Sequence, residues 1–162
     1  MTLEVWPIHF DAMVEVLGPG DEPVVADREL AYRFPLELQE PTGVTRVTLP
    51  NLQLLGWMVA DLADVEAGLE HGDICTAMVV NGAAVSLCYS ARLTDYTAEA
   101  GLETLKDYRG RGYAQAVFAA WARAVRGTGR IPFYSTASEN TASQAVARKL
   151  GLVRYAVGFS LE

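Results

Sequence analysis

Apolar residues along this chain follow two rhythms, one helical and one alternating. From Leu52 to Leu69, the positions Leu55, Val59, Leu62, Val65 and Leu69 recur at steps of three and four, the spacing of one helix face. Ile74 to Val80 and Ala84 to Tyr89 are rich in strand-forming residues. They are joined by Asn81-Gly82, a pair suited to the two positive φ angles of a type I′ hairpin. A third strand, Ala98 to Leu105, follows the turn Thr94-Asp95-Tyr96 and completes an antiparallel meander. The period then changes: Ala114, Val117, Phe118, Trp121, Ala122 and Val125 form a helical stripe that ends at Gly127 to Gly129. A strand over Ile131 to Ser135 comes next. Asn140 then caps a second helix carrying Ala142, Ala145, Val146 and Leu150, and Gly151 stops it. Tyr155 to Leu161 reads as a closing strand. Before residue 50, turn clusters at 17–23 and 40–43 divide short apolar stretches, predicting irregular structure with a short helix and a strand. The order implies an α/β domain, with a mixed sheet and helices on its faces. No repeat or linker interrupts 1–162, so one domain is expected.

Composition narrows the picture. With 162 residues, 51% of them hydrophobic, the chain can bury a core without disulfides or metals. Cys75 and Cys88 lie in apolar strands without CxxC spacing, and His9 and His71 are far apart, so no metal site is expected. A net charge of -7 argues against nucleic acid as a partner and mildly favours cationic ligands. No run approaches the ~18 apolar residues of a membrane span, and Met1 to Phe10 lacks the pattern of a signal peptide. A soluble, cytoplasmic protein is therefore expected.

The candidate chemistry lies in Arg109-Gly110-Arg111-Gly112-Tyr113-Ala114, between a strand and an amphipathic helix. A helix start leaves backbone N–H groups without partners inside the helix, and its dipole adds partial positive charge. Glycines at 110 and 112 let a ligand approach the backbone, and Arg109 and Arg111 add full charges, so the turn suits a pyrophosphate. No Gly-Lys-Ser/Thr follows and the third glycine of a dinucleotide fingerprint is missing, which demotes those nucleotide readings. Ser90, Thr136 and Ser138 lack a Gly-x-Ser-x-Gly elbow, which disfavours serine-hydrolase chemistry.

Arg109-x-x-Gly112-x-Ala114 resembles the Arg/Gln-x-x-Gly-x-Gly/Ala signature of the GNAT superfamily of N-acetyltransferases. Tyr134-Ser135-Thr136, Asn140 and Ala147-Arg148-Lys149-Leu150-Gly151-Leu152 look like the segment that follows it. The resemblance covers roughly 74–155 as a coenzyme-binding half and leaves 1–70 as a variable, acceptor-side half. It implies a mostly antiparallel central sheet whose strands over 98–105 and 131–135 splay apart around acetyl-CoA. In that reading Leu102, Thr104 and Leu105 run beside the pantetheine arm and Arg109, Gly110, Arg111, Gly112, Tyr113 and Ala114 hold the pyrophosphate. Asn140 and Ser143 face the coenzyme from the last helix.

The implied activity is acetyl or short-acyl transfer from acyl-CoA to the amine of a small molecule or protein, by direct attack in a ternary complex. Such an attack needs a base and donors for the tetrahedral oxyanion. Glu99 and Glu103 share one strand face by parity, and the resemblance favours Glu99 as base. The resemblance implies that the backbone N–H groups of Leu102 and neighbouring residues are the oxyanion donors, freed from strand pairing by a bulge that Gly101 would permit. Many family members place an acid tyrosine where this chain has Ala147, so Ser143 and Tyr134 stand as substitute proton donors. Trp57, Met58 and Tyr89 are candidates for the acceptor pocket. A non-catalytic acyl-CoA sensing module is the alternative. The chain ends about ten residues after Gly151, room for one closing strand where the family usually has two; the other could come from the N-terminal segment, from a partner in a homodimer, or from nowhere.

Overall fold

The computed structural model describes residues 8–17 and 26–161. The expected turn cluster at 17–23 falls almost entirely outside them. In chain order the elements are α1 (Phe10–Leu17), β1 (Ala26–Arg33), β2 (Val44–Arg46), a 3₁₀ segment (Leu49–Leu55), α2 (Leu62–Glu70), β3 (Cys75–Val80), β4 (Ala83–Leu93) and β5 (Thr97–Thr104). A 3₁₀ turn (Lys106–Tyr108), α3 (Tyr113–Gly127), β6 (Ile131–Ala137), α4 (Thr141–Lys149) and β7 (Val153–Leu161) complete it.

Among the described residues the strands form one sheet of seven, in the order β2-β3-β4-β5-β6-β1-β7. Every pairing is antiparallel except β5 with β6. The β3–β4 hairpin turns at Asn81 and Gly82, whose φ angles of 52° and 80° are both positive, as the sequence predicts. β1, from the N-terminal segment, inserts between β6 and β7 and pairs antiparallel with both. The expected shortfall of one strand is thus met from within the chain.

Two apolar layers cover the sheet. On one face, Val117, Phe118, Trp121, Ala122 and Val125 of α3 and Ala147 of α4 pack with Leu30, Tyr32, Ala98, Ala100 and Tyr134. Phe118 meets Phe34 and Tyr134 edge-on, at ring-centre distances of 4.7 and 4.9 Å. On the other face, Leu55, Val59, Leu62, Val65 and Leu69 pack over Cys75, Ala77, Ala84 and Leu87. The periodic apolar stripe therefore does its work, but the continuous helix expected over 52–69 is broken at 56–61. Asp61 is the reason: its carboxylate accepts the Ala63 N–H at 2.8 Å and starts α2 afresh.

Burial pushes the Cys75 thiol up to about 12 and the Cys88 thiol well above its ordinary range. Unfolded thiols ionise above about pH 8.5 while these stay protonated, so the stability they hold at neutral pH is lost as pH rises towards 12. We expect a loss of about 2 kcal/mol from Cys75 at pH 10, with Cys88 acting in the same direction. Urea unfolding at pH 7 and pH 10 measures it, and the difference should shrink in a Cys75→Ala, Cys88→Ala double variant.

Candidate active site

β5 and β6 pair only over Thr97↔Ile131, Ala98↔Pro132 and Glu99↔Phe133, and beyond Glu99 they diverge. The direction of the exposed peptide groups follows from alternation. Leu105 N–H donates to Val85 O at 3.0 Å, so odd-numbered residues of β5 bond to β4, and Ala100, Leu102 and Thr104 turn theirs into the gap. Thr104 O is taken by the Arg109 Nε–H at 3.1 Å. Leu102 N–H thus faces the gap, as expected, through strand alternation and not through a bulge at Gly101. Gly101 sits in regular register opposite Tyr89, and the irregularity lies on β4 between Ser90 and Arg92. Glycine suits 101 for another reason: a Cβ there would run into the face of the Tyr89 ring.

The gap opens into a groove of ≈ 1030 Å³ between β5, the turn before α3 and the first turns of α4. It is lined by Leu102, Thr104, Leu105, Arg109, Gly110, Gly112, Tyr113, Ala114, Asn140 and Ser143, ten of the residues expected from the sequence. Gly110 and Gly112 have φ angles of 76° and 83°, and a Cβ on either would meet nothing within 4 Å, so both positions open onto free space. Gly112 caps α3 and accepts the Ala116 N–H at 3.2 Å, leaving the earlier first-turn N–H groups without a helical acceptor. Asn140 caps α4 by accepting the Ser143 N–H at 3.0 Å. Arg111 does not line the groove; it donates to Asp107 O at 3.1 Å with its guanidinium over the Tyr108 ring.

Three cations, Lys106, Arg109 and Lys149, line the groove against one carboxylate, Glu103. The local charge is therefore opposite to that of the whole chain, as a polyphosphate ligand requires. Lys106 carries no mark in the sequence, and Lys149 stands there only as part of the 147–152 segment; the fold brings both to the same groove. Trp57 and Met58 also line it, Trp57 with 85% of its surface exposed.

The other candidates lie elsewhere. Glu99 stands at the closed end of the wedge, on the face away from α3, in a smaller cleft with Glu29, Phe133, Ser135 and Tyr155. Both of its oxygens are engaged: Ser135 Oγ donates to Oε1 at 2.5 Å and Arg92 Nη1 to Oε2 at 2.9 Å. Tyr134 is buried in the core, and burial raises its phenol pKa, partly offset by the neighbouring Ser143 and Thr136 hydroxyls. Ala147 is fully buried against α3. Among the described residues no group of His, Cys, Asp or Glu could hold a metal ion, and no helix is long and apolar enough to cross a membrane.

The model of the GNAT acetyltransferase family matches residues 51–156, which includes every wall of the groove. The chain belongs to the GNAT acetyltransferase family. Solved GNAT structures share its fold at low identity. A GCN5-related N-acetyltransferase-like protein from Streptococcus suis superposes with a TM-score of 0.68 at 19% identity, over 94% of this chain and 66% of that one. A GNAT-family acetyltransferase from Colwellia psychrerythraea gives 0.71 at 18%, over 95% and 60%. Against both, this GNAT chain spans less than two thirds of the relative's length. The aminoglycoside N-acetyltransferase AAC(6')-Iy, solved with a bisubstrate analogue of CoA and acetylneamine, gives 0.54 at 23%, over 67% of this chain and 88% of that one. No curated protein matches the chain.

Proposed function

We propose that this GNAT protein is an N-acetyltransferase that moves the acetyl group of acetyl-CoA to an amine by direct transfer in a ternary complex. The carrying observation is the cation-lined groove that runs from the open glycine turn before α3 to Leu102 on β5, whose peptide N–H turns away from β4. The turn holds the pyrophosphate with helix-start N–H groups and Arg109, while the strand edge of β5 offers its peptide groups to the pantetheine arm. Leu102 N–H polarises the thioester carbonyl and stabilises the oxyanion as it forms. Ser143 returns a proton to the departing thiolate in this reading, supported by its position on the groove wall beside the Tyr134 phenol. Glu99, held rigidly by Ser135 and Arg92, presents a fixed anion on the face from which an amine would approach. The acceptor is an amine of a small molecule or a protein; the amino sugar bound by AAC(6')-Iy is one example of the class.

Calorimetric titration with acetyl-CoA, followed by thiol release over a panel of amines, tests this reading. Binding with acceptor-dependent release is expected. Binding without release from any amine would favour a sensing module, a reading that the buried Ala147 at the family's tyrosine position supports. Absence of binding would remove both.

A further inference from the structure

Resting on the acetyltransfer reading, we propose that Glu103, and not Glu99, takes the proton from the acceptor amine, with Tyr89 positioning its carboxylate. Both glutamates share one face of β5, so their placement along the strand decides between them. Glu103 follows Leu102 directly, whereas Glu99 lies three residues away, roughly 10 Å along a strand. Glu103 lines the large groove together with Trp57 and Met58; Glu99 lines the other cleft. Occupancy of the oxygens points the same way. Glu99 has both engaged, by Ser135 and Arg92, whereas Glu103 is exposed and receives only the Tyr89 phenol, at 3.4 Å on Oε1.

Tyr89 is fixed by its own packing. Its ring lies flat over Gly101, on the face of β5 that leads from Glu99 to Glu103, and this holds the hydroxyl toward the Glu103 carboxylate. Trp57, largely exposed, lines the same groove, and an indole there suits a cationic acceptor. The charged and titratable groups that share the groove or the strand face with Glu103 are Tyr89 from β4, Glu99 from the same strand, Lys106, Tyr108 and Arg109 from the turn, Tyr113 from α3 and Lys149 from α4.

The acceptor ammonium gives one proton to Glu103, and the free amine attacks the thioester carbon. The C–N bond forms, the C–S bond breaks, and the thiolate leaves with its electron pair. The second nitrogen proton ends on that thiolate, and Glu103 passes its own to water. The products are the amide, coenzyme A thiol and one proton.

The test is the pH profile of kcat/KM, with an amine that the wild-type protein acetylates. Glu103→Gln should lower kcat about 100-fold or more and abolish the acidic limb, with the acetyl-CoA Kd unchanged by calorimetry. Glu99→Gln should retain the acidic limb. Tyr89→Phe, which keeps the ring over Gly101 and removes only the hydroxyl, should shift that limb while Tm stays within a degree or two. A wild-type limb in Glu103→Gln, or its loss in Glu99→Gln, overturns the assignment while leaving acetyltransfer intact. A wild-type protein that binds acetyl-CoA and acetylates no amine overturns both.

Discussion

Gly112→Ala is expected to weaken acetyl-CoA binding by about tenfold or more, a cost of at least about 1.4 kcal/mol. The backbone at Gly112 has φ 83° and ψ -1°, a left-handed conformation that costs an L-residue about 1–2 kcal/mol in the free protein. That part lowers folding stability. The part that lowers affinity is spatial: the new Cβ would point into open groove where first-turn N–H groups await a phosphate. Gly151→Ala separates the two. Gly151 also has a positive φ, 69°, and open space where an added methyl would stand, but it lies off the groove. Both variants should lose similar stability, and only Gly112→Ala should lose affinity. Equal affinity in the two would mean that the turn does not hold the pyrophosphate.

Trp121→Ala is expected to cost about 3–5 kcal/mol of folding stability, at the top of the range for a single core truncation. Trp121 is fully buried on α3, its ring centre 6.0 Å from that of Phe34, and its Nε1–H donates to Ser90 Oγ at 3.4 Å. Truncation leaves a cavity between α3 and the sheet and strips Ser90 of a donor. Against a domain stability of about 5–15 kcal/mol, the loss is a large fraction. Trp121→Phe keeps most of the volume and removes the indole donor, so it should cost about 1–2 kcal/mol. Urea titration of both variants measures the difference. Because α3 also presents the glycine turn, Trp121→Ala should weaken acetyl-CoA binding as well, with no change to the groove's own residues.

The glycine turn before α3 was legible because its geometry is local. Glycines at 110 and 112, the flanking arginines and the amphipathic stripe that follows are adjacent in sequence, so the backbone geometry they impose needs no distant partner. Asn140 was legible for the same reason, since a cap acts within one helical turn. The bulge was misplaced because Gly101 looks like a permissive residue, when it is a residue that makes room; the Tyr89 ring that needs the space lies twelve positions earlier in the sequence. The single helix over 52–69 was misread because periodicity reports which residues face the core, and both halves of the broken segment do face it. Asp61 carried the start signal that periodicity ignores.

Local interactions thus let the sequence by itself determine the hairpin, the α3 and α4 helices, the open glycine turn between Arg109 and Tyr113 and the pair of glutamates on one strand face. Tertiary structure alone decided the rest. β1 lies between β6 and β7 because long-range backbone pairing is satisfied there, and nothing within Ala26–Arg33 names its partners. Lys106 and Lys149 line one groove because the fold brings the turn after β5 and α4, which packs on α3, to opposite sides of it. Glu99 and Glu103 differ because β6 leaves β5 at Glu99, which puts one carboxylate at the closed end of the wedge and the other on the open groove. Strand parity could only say that the two side chains point the same way; the point of divergence depends on what the neighbouring strand does.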